Sequence, residues 1–483
     1  MNFPDDESSL EADGLPLETE EDRAFQIERD AKENRDSALP PGEEVRVVSL
    51  TCVEVYTPST VNNLIDGITK LGWKRKDAFS PSFTDLTDWV RSTRANPYGG
   101  AWRNLGRITD VQAPSPIGGG LQAVMPSGVA EIWAELHSVT PSITCLVLQF
   151  VVDEEASRGI NLVFDETLAT RTERVSFGWT YMGPAQQRTD LVLAERRRLR
   201  DSCHRWISEH FPGAVAAGIA SAGLPTVETF VCNVAKPFER QEFAGYTDYR
   251  MVLDIDSDFD AYESPSLPAW RLSAWGARSP DEYFILRLGA QWADVCEGLS
   301  PYGGPNSSGL ANRLTHPLFT FSVRFAMHCL FSGYEEHLAD IRDRIVSAGR
   351  RDGLVRDQDV EDLYGLVTDA SYDARVVAAE LTAFCSDARR YRHVAADFSP
   401  VADWRRESEP SLVELLRKSG LTRAENIVAS ETTAREAIAS LASVLTSKVN
   451  LRIGRAVFRL TWVAVVTGVL ALVVAIIALI LSS

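Results

Sequence analysis

The chain has 483 residues, a length that corresponds to about three domains. With 45% hydrophobic and 24% charged residues it can build a substantial core. Its formal net charge of −18 excludes a general affinity for nucleic acid or anionic lipid, which carry the same sign. The seven cysteines show no CxxC spacing and lie mostly in apolar runs such as SITCLVL and FAMHCLF. They read as small core residues of a reducing compartment, not as a disulfide framework. Lysine is scarce beside arginine and alanine is frequent, a bias expected of a bacterium with a GC-rich genome.

Residues 1–43 are acidic and rich in Ser, Pro, Glu and Asp. They hold too little apolar area to offset the entropy of ordering, which predicts a disordered tail with room for a short helix from Glu20 to Lys32. The opening MNFPDDESSLEADG has neither the basic start nor the apolar stretch of a secretory signal. An anionic inner leaflet repels such a tail, leaving it available to a cytosolic protein partner.

Residues 44–310 read as an α+β domain, a mixed or antiparallel sheet with helices packed on it. The β-branched alternation of EVRVVSLTCVEVY predicts a strand. In TPSTVNNLIDGITKLGW, Pro58 suits a first helical position, Val61, Leu64, Ile68 and Leu71 form a stripe, and Gly72 can end the helix. A shorter helix follows at TDLTDWVRSTR. VAEIWAELHSV and SITCLVLQFVV read as strands joined around Thr140-Pro141, and GINLVFDE as a third. TDLVLAERRRLRDSCHRWISEHF is a helix stopped by Pro212-Gly213. Strands return at PTVETFVCNV, YRMVLDID, WRLSAWG and YFILRLGA. The tetrapeptide PYGG, present at Pro97 and at Pro301, reads either as a relic of duplication or as two turns sharing Gly/Pro chemistry.

Residues 311–459 change to long helical patterns, a bundle leading into a stalk. LFTFSVRFAMHCLFSGYEEHLADIRDRIVSAG is one and VEDLYGLVTDASYDARVVAAELTAFCSDARRYRHV another. From Ser411 onward the pattern is helical nearly throughout, with Ala434, Ile438, Leu441, Leu445 and Val449 on one side. Ser440, Ser443, Ser447, Asn450 and Gly454 lie on the other, facing either water or a second copy.

Residues 460–481, LTWVAVVTGVLALVVAIIALIL, contain no charge. At 1.5 Å per residue this stretch spans about 33 Å, enough to cross a bilayer core of about 30 Å. Lys448, Arg452, Arg455 and Arg459 flank its N-terminal side and Trp462 sits at headgroup depth. The positive-inside rule then places the N-terminus and the bulk of the chain in the cytoplasm, a single-pass, tail-anchored layout in the bacterial cytoplasmic membrane. Thr461, Ala464, Gly468, Ala471, Ala475, Ala478 and Ser482 recur at spacings of three and four. Such a seam of small residues predicts a homo-oligomer, because it lets helix backbones approach closely in lipid.

The stretch ETTAREAIASLASVLTSKVNLRIGRAVFRLTWVAVV, with Asn450 shortly before the membrane, resembles the stalk and first span of the CorA-type magnesium transporter family. The resemblance is confined to this terminal region and implies a divalent-cation transport component or a degenerate relative. The family's Gly-Met-Asn signature is absent, since no Met follows Met327, and no second span follows, so no selectivity residue is carried over.

Chemistry-bearing patterns are few. Asp254, Asp256, Asp258 and Asp260 in DIDSDFDAYE alternate like the start of a calcium loop, and they are the candidate ligands for a divalent cation. Counting from Asp254, the sixth and twelfth loop positions hold Phe259 and Pro265 where an EF-hand needs Gly and Glu. Cys203-His204 are helix neighbours that point about 100° apart and do not form a nucleophile–base pair. GIASAG lacks the first glycine of a nucleophile elbow, and Gly118-Gly119-Gly120 lacks the Gly-Lys-Ser/Thr of a phosphate loop. The seven histidines form no HExxH or HxH cluster. Arg196, Arg197, Arg198, Arg200 and Arg205 read as a solvated helix face. The expectation is a self-associating sensing or scaffolding module; the alternatives are a cation-transport component and a membrane-tethered enzyme without a recognisable active-site motif.

Overall fold

A computed structural model of the chain describes residues 20–73, 85–97, 99–114, 120–175, 178–219, 223–239, 249–255, 261–273, 284–350, 365, 371–401 and 409–482. At its centre lies β1 (Val45–Tyr56), with all but one of its residues buried. Because successive residues point to opposite faces, this burial means that both faces of the strand are covered. The others are β2 (Ala101–Asp110), β3 (Leu121–Ala123), β4 (Val129–Thr140), β5 (Ile143–Val152), β6 (Arg171–Val175), β7 (Gly178–Met182), β8 (Thr226–Cys232), β9 (Ala261–Ser264), β10 (Leu267–Ser273), β11 (Ile285–Gln291) and β12 (Ser399–Pro400).

Ten of them form one mixed sheet in the order β12-β9-β10-β11-β8-β1-β5-β4-β2-β3, while β6 and β7 pair separately. β1 runs antiparallel to both neighbours, with Ser49 opposite Val151 and Leu50 opposite Glu228. β8–β11 and β2–β3 are parallel. Helices Glu154–Asp165 and Pro184–His210 pack against β1 and each other, and the 44-residue helix Ser307–Arg350 crosses β1, β5 and β4. The α+β expectation holds.

Three local expectations are corrected. GINLVFDE belongs to the helix Glu154–Asp165, not to a strand. Asp153 caps it by accepting from the Ala156 amide at 2.7 Å, and its buried residues Ser157, Ile160, Val163 and Phe164 fall at helical spacing. YRMVLDID holds a single helical turn, Tyr249–Val252. Residues 20–43, expected within a disordered tail, include the helix Glu20–Asp36, in line with the short helix expected there. That helix buries none of its residues and is held by polar groups instead. Asn34 exchanges hydrogen bonds with the Leu168 backbone (2.7 and 3.0 Å), and Asp30 accepts from the Thr170 amide at 2.8 Å. Apolar content was therefore the wrong measure of its order. Residues 1–19 lie outside the described residues.

The long helix, Ser371–Ser386 and the 71-residue terminal helix Leu412–Ser482 form the bundle. Leu412 meets Phe398, whose ring touches Phe321, and Arg423 pairs with Glu335, so the first and third helices run parallel. Cys385 lies near Gly420 and Arg375 near Glu431, so the middle helix runs the other way. Buried apolar residues from Val45 to Ile438 form one continuous cluster. The boundary expected at residue 310 therefore does not separate two cores, because the long helix starts at Ser307 and its first half covers the sheet. The second expected helix is interrupted at Asp387, which caps the short helix Ala388–Arg392.

Both PYGG segments place consecutive glycines at positive φ, Gly99 and Gly100 at 56° and 78°, Gly303 and Gly304 at 112° and 99°. The first leads into β2 and the second follows β11 into the long helix. They share turn chemistry at different places in the topology.

Two acids fasten the middle bundle helix to the sheet. Asp373 accepts from the Thr57 hydroxyl at 2.5 Å, the Ser59 amide at 3.2 Å and the Ser59 hydroxyl. Glu380 accepts from the Ser142 amide (2.9 Å) and hydroxyl (2.8 Å) at the β4–β5 turn. Asp373→Ala takes the acceptor from the buried Thr57 hydroxyl and from both Ser59 donors and is expected to cost about 2 kcal/mol of stability, read from denaturant unfolding of the full chain. An unchanged midpoint would contradict the fastening role.

Candidate functional site

The terminal helix is long and apolar enough to cross a membrane. Its bundle half buries Ala434, Ile438 and Leu445, as the sequence pattern requires, while Val449 is exposed. Ser440, Ser443, Ser447, Asn450 and Gly454 are exposed too. Beyond them every described side chain to Ala478 is exposed, including Lys448's neighbours Arg452, Arg455 and Arg459 and the seam Thr461, Ala464, Gly468, Ala471, Ala475 and Ala478. The Thr461 hydroxyl donates to its own helix at Val457 O, 2.9 Å, so it adds no unsatisfied polar group. A methyl group built on Gly454 or Gly468 would meet nothing within 4 Å, so neither residue's small size serves packing within the chain. Trp462 lies edge-on to Phe458, ring centroids 6.4 Å apart.

The acidic run yields little. Asp254, just after the helical turn Tyr249–Val252, is engaged by Arg287. Asp256, Asp258 and Asp260 lie outside the described residues, as does Ser221 of GIASAG. Cys203 and His204 diverge as expected. Cys203 is buried near Cys52, and His204 Nε2 lies 2.8 Å from the Thr226 hydroxyl. Burial, reinforced by Arg200, holds the His204 pKa down at about 4. The arginine patch divides. Arg197, Arg198 and Arg205 face solvent, but Arg196 and Arg200 turn inward, and Arg196 forms a buried ion pair with Glu228 at 3.0 Å. Five arginines in ten positions cannot share one face of a helix.

A different site emerges where the sheet edge meets the bundle. The outer face of β4 carries Glu135 and His137, two residues apart on one side of the strand, with His137 Nε2 3.0 Å from Glu135 Oε2. Trp102 of β2 stands opposite His137 in register and is 55% exposed. The long helix contributes His316, whose ring centroid lies 6.0 Å from that of Trp102, and, further along, Arg324. The segment after the middle helix adds Arg389, Arg390 and His393. Together these groups line a cavity of about 630 Å³, within the range of small-molecule sites. A second cavity of about 400 Å³ adjoins it and shares Trp102, Glu135 and His316.

The cavity's position depends on the first PYGG. A Cβ on Gly99 would lie 2.7 Å from Val139 O and 3.0 Å from the Arg390 guanidinium, so only glycine lets this turn approach β4. Arg390 in turn donates to Val139 O at 3.0 Å. Arg324 is 7% exposed, donates through Nε to Tyr391 O at 2.9 Å, and lies over the Phe384 and Tyr391 rings. Burial pulls its pKa below the ordinary arginine value, yet among the described residues no carboxylate pairs with it. Arg389 is exposed and likewise has no ion-pair partner among them. The cavity thus has an end where Arg324, Arg389 and Arg390 outnumber the one carboxylate, Asp387, which accepts from the Arg390 amide at 3.0 Å, and, toward the adjoining cavity, an end with an aromatic face and Glu135. Among the described residues no group of three or more His, Cys, Asp or Glu side chains is placed to hold a metal ion.

The chain matches no known family model, no characterised protein and no solved structure in comparisons with each.

Proposed function

We propose that this protein is a sensing or scaffolding module of the bacterial cytoplasmic membrane, anchored by its terminal helix with its main body in the cytoplasm. One observation carries the reading: a single uninterrupted helix leaves a bundle packed on the sheet and continues as a wholly exposed apolar rod. Exposing that much apolar surface to water is strongly unfavourable, and a bilayer removes the penalty. Lys448, Arg452, Arg455 and Arg459 at the bundle-side end support the cytoplasmic placement. The continuous helix also gives the cleft a mechanical route to the membrane, because Arg392, beside the cleft-lining Arg389 and Arg390, pairs with Glu414 near its start at 2.6 Å. Full-length protein is expected to float with lipid vesicles and to resist an alkaline carbonate wash; recovery in the aqueous fraction overturns the anchor.

Self-association through the small-residue face belongs to the same proposal. The exposed Gly468 and the open space around it support close helix–helix approach. Gly468→Leu together with Ala471→Leu is expected to weaken assembly in mild detergent by at least about tenfold, about 1.4 kcal/mol. Oligomer mass measured by light scattering is the readout, and an unchanged mass counts against this face.

A second reading, a CorA-like divalent-cation transport component, is favoured by the continuity of stalk and span and by Asn450 just before it. Magnesium flux into liposomes reconstituted with the full chain would support it, and its absence would leave the sensing reading in place.

A further inference from the structure

We propose that the cleft between the β2–β4 edge and the bundle binds a small organic anion carrying a planar ring, its charged group against Arg324 and Arg389 and its ring on Trp102. The proposal rests on the sensing reading above and names the class of ligand sensed.

Two observations support the anion. Arg324 holds a positive charge in a nearly closed environment, and among the described residues its charge-compensating neighbours are aromatic rings and one backbone carbonyl. A buried, unpaired guanidinium is costly, and an anion entering the cavity removes that cost. Arg389 stands exposed at the same end, also without an ion pair among the described residues. It can close on the anion from the solvent side and give the fork geometry that favours carboxylate and phosphate.

Two more support the ring. Trp102 is a large aromatic left 55% exposed inside a cavity, with the tilted His316 ring beside it. Such a face gains from stacking on a planar partner. The cavity's 630 Å³ is far more than inorganic phosphate needs and suits a molecule with a body attached. The carboxylate of Glu135 at this end repels a second negative group and can accept a hydrogen bond from a ring N–H or an exocyclic amino group, so the ligand enters with its charge toward the arginines. Chain-wide negative charge argues against a polyanion such as nucleic acid.

The test uses the full chain in mild detergent and calorimetric titration with AMP and indole-3-acetate, against their uncharged counterparts adenosine and indole. At least one anion is expected to bind with Kd below about 1 mM and at least about tenfold more tightly than its neutral counterpart. Arg389→Ala and Trp102→Ala, both at exposed positions where the fold is not at stake, are each expected to weaken it by at least about fivefold. The proposal is overturned if neither anion binds, if the neutral molecules bind equally well, or if both variants bind as the parent does. Flotation of the same preparation separates the two readings. Lost ligand binding with intact flotation sinks only the anion, whereas a chain that binds but does not float sinks only the anchor.

Discussion

Gly67→Ala is expected to destabilise the protein by about 3 kcal/mol or more, although the same exchange in a solvated helix stabilises by about 1 kcal/mol. Gly67 lies inside the helix Val61–Lys70 and is buried. A Cβ there would stand 2.3 Å from the carbonyl oxygen of His210 and 2.5 Å from the Phe211 ring. Neither obstacle is a flexible tip. The His210 carbonyl ends the helix Pro184–His210, and Phe211 is fully buried with its ring centroid 5.1 Å from that of Trp73 and 5.9 Å from that of Trp206. Asn63 fixes the same contact from the neighbouring turn by donating to Pro212 O at 2.9 Å. The added methyl must push two helices apart, so propensity and packing predict opposite signs. Denaturant unfolding of the full chain decides between them: a midpoint at or above the parent's would show that the contact yields.

Elements with a strong single period were legible in the sequence. β1, β4, β5 and β8 are legible as runs with β-branched residues, β11 as an apolar run, and the terminal helix by its length and lack of charge. β2 was not visible, because Arg103, Asn104, Gly106 and Arg107 interrupt its pattern. A bulge between Asn104 and Gly106, with Gly106 at φ 81°, explains the interruption. The helix Glu154–Asp165 was mistaken for a strand because its apolar run is short. The informative residues were Asp153 and the two glutamates after it, which mark a helix start rather than a strand end.

The site was harder to see for a physical reason. Its groups come from β2, β4, the long helix and the Ala388–Arg392 turn, so no local spacing links them. His137, His316 and His393 form no motif in sequence and line one cavity in space. Three local signals exist. Glu135 and His137 share one side of a strand, and the first PYGG precedes an aromatic, Trp102, that the fold leaves exposed. Arg324 sat within the apolar run LFTFSVRFAMHCLF, where a lone charge asks for a partner.

Glu54 asks the same question within the core, and its answer is a dependence on pH. It lies on β1, fully buried. One carboxyl oxygen accepts from the amides of Val55 and Val215, both at 2.9 Å, and the other from Ala216 at 3.0 Å. Gly213 makes room for it, since a Cβ there would lie 2.5 Å from the same oxygen. Burial outweighs these amides and pushes the Glu54 pKa up to about 7 from its ordinary 4.5. The folded chain therefore holds this proton where the unfolded chain has lost it. The resulting stability is fully present below pH 4.5 and is lost as pH rises through 7, a change of about 3 kcal/mol. Glu54→Gln keeps the shape and removes the titration, so its stability relative to the parent is expected to rise by most of that amount, about 2 kcal/mol, from pH 5 to pH 8. His204 and His328, both held near pKa 4 by burial, act in the opposite sense as pH falls below their ordinary 6.5, but equally in both chains. Parallel pH profiles for the parent and Glu54→Gln would mean that the amides, not burial, decide the charge of this carboxyl.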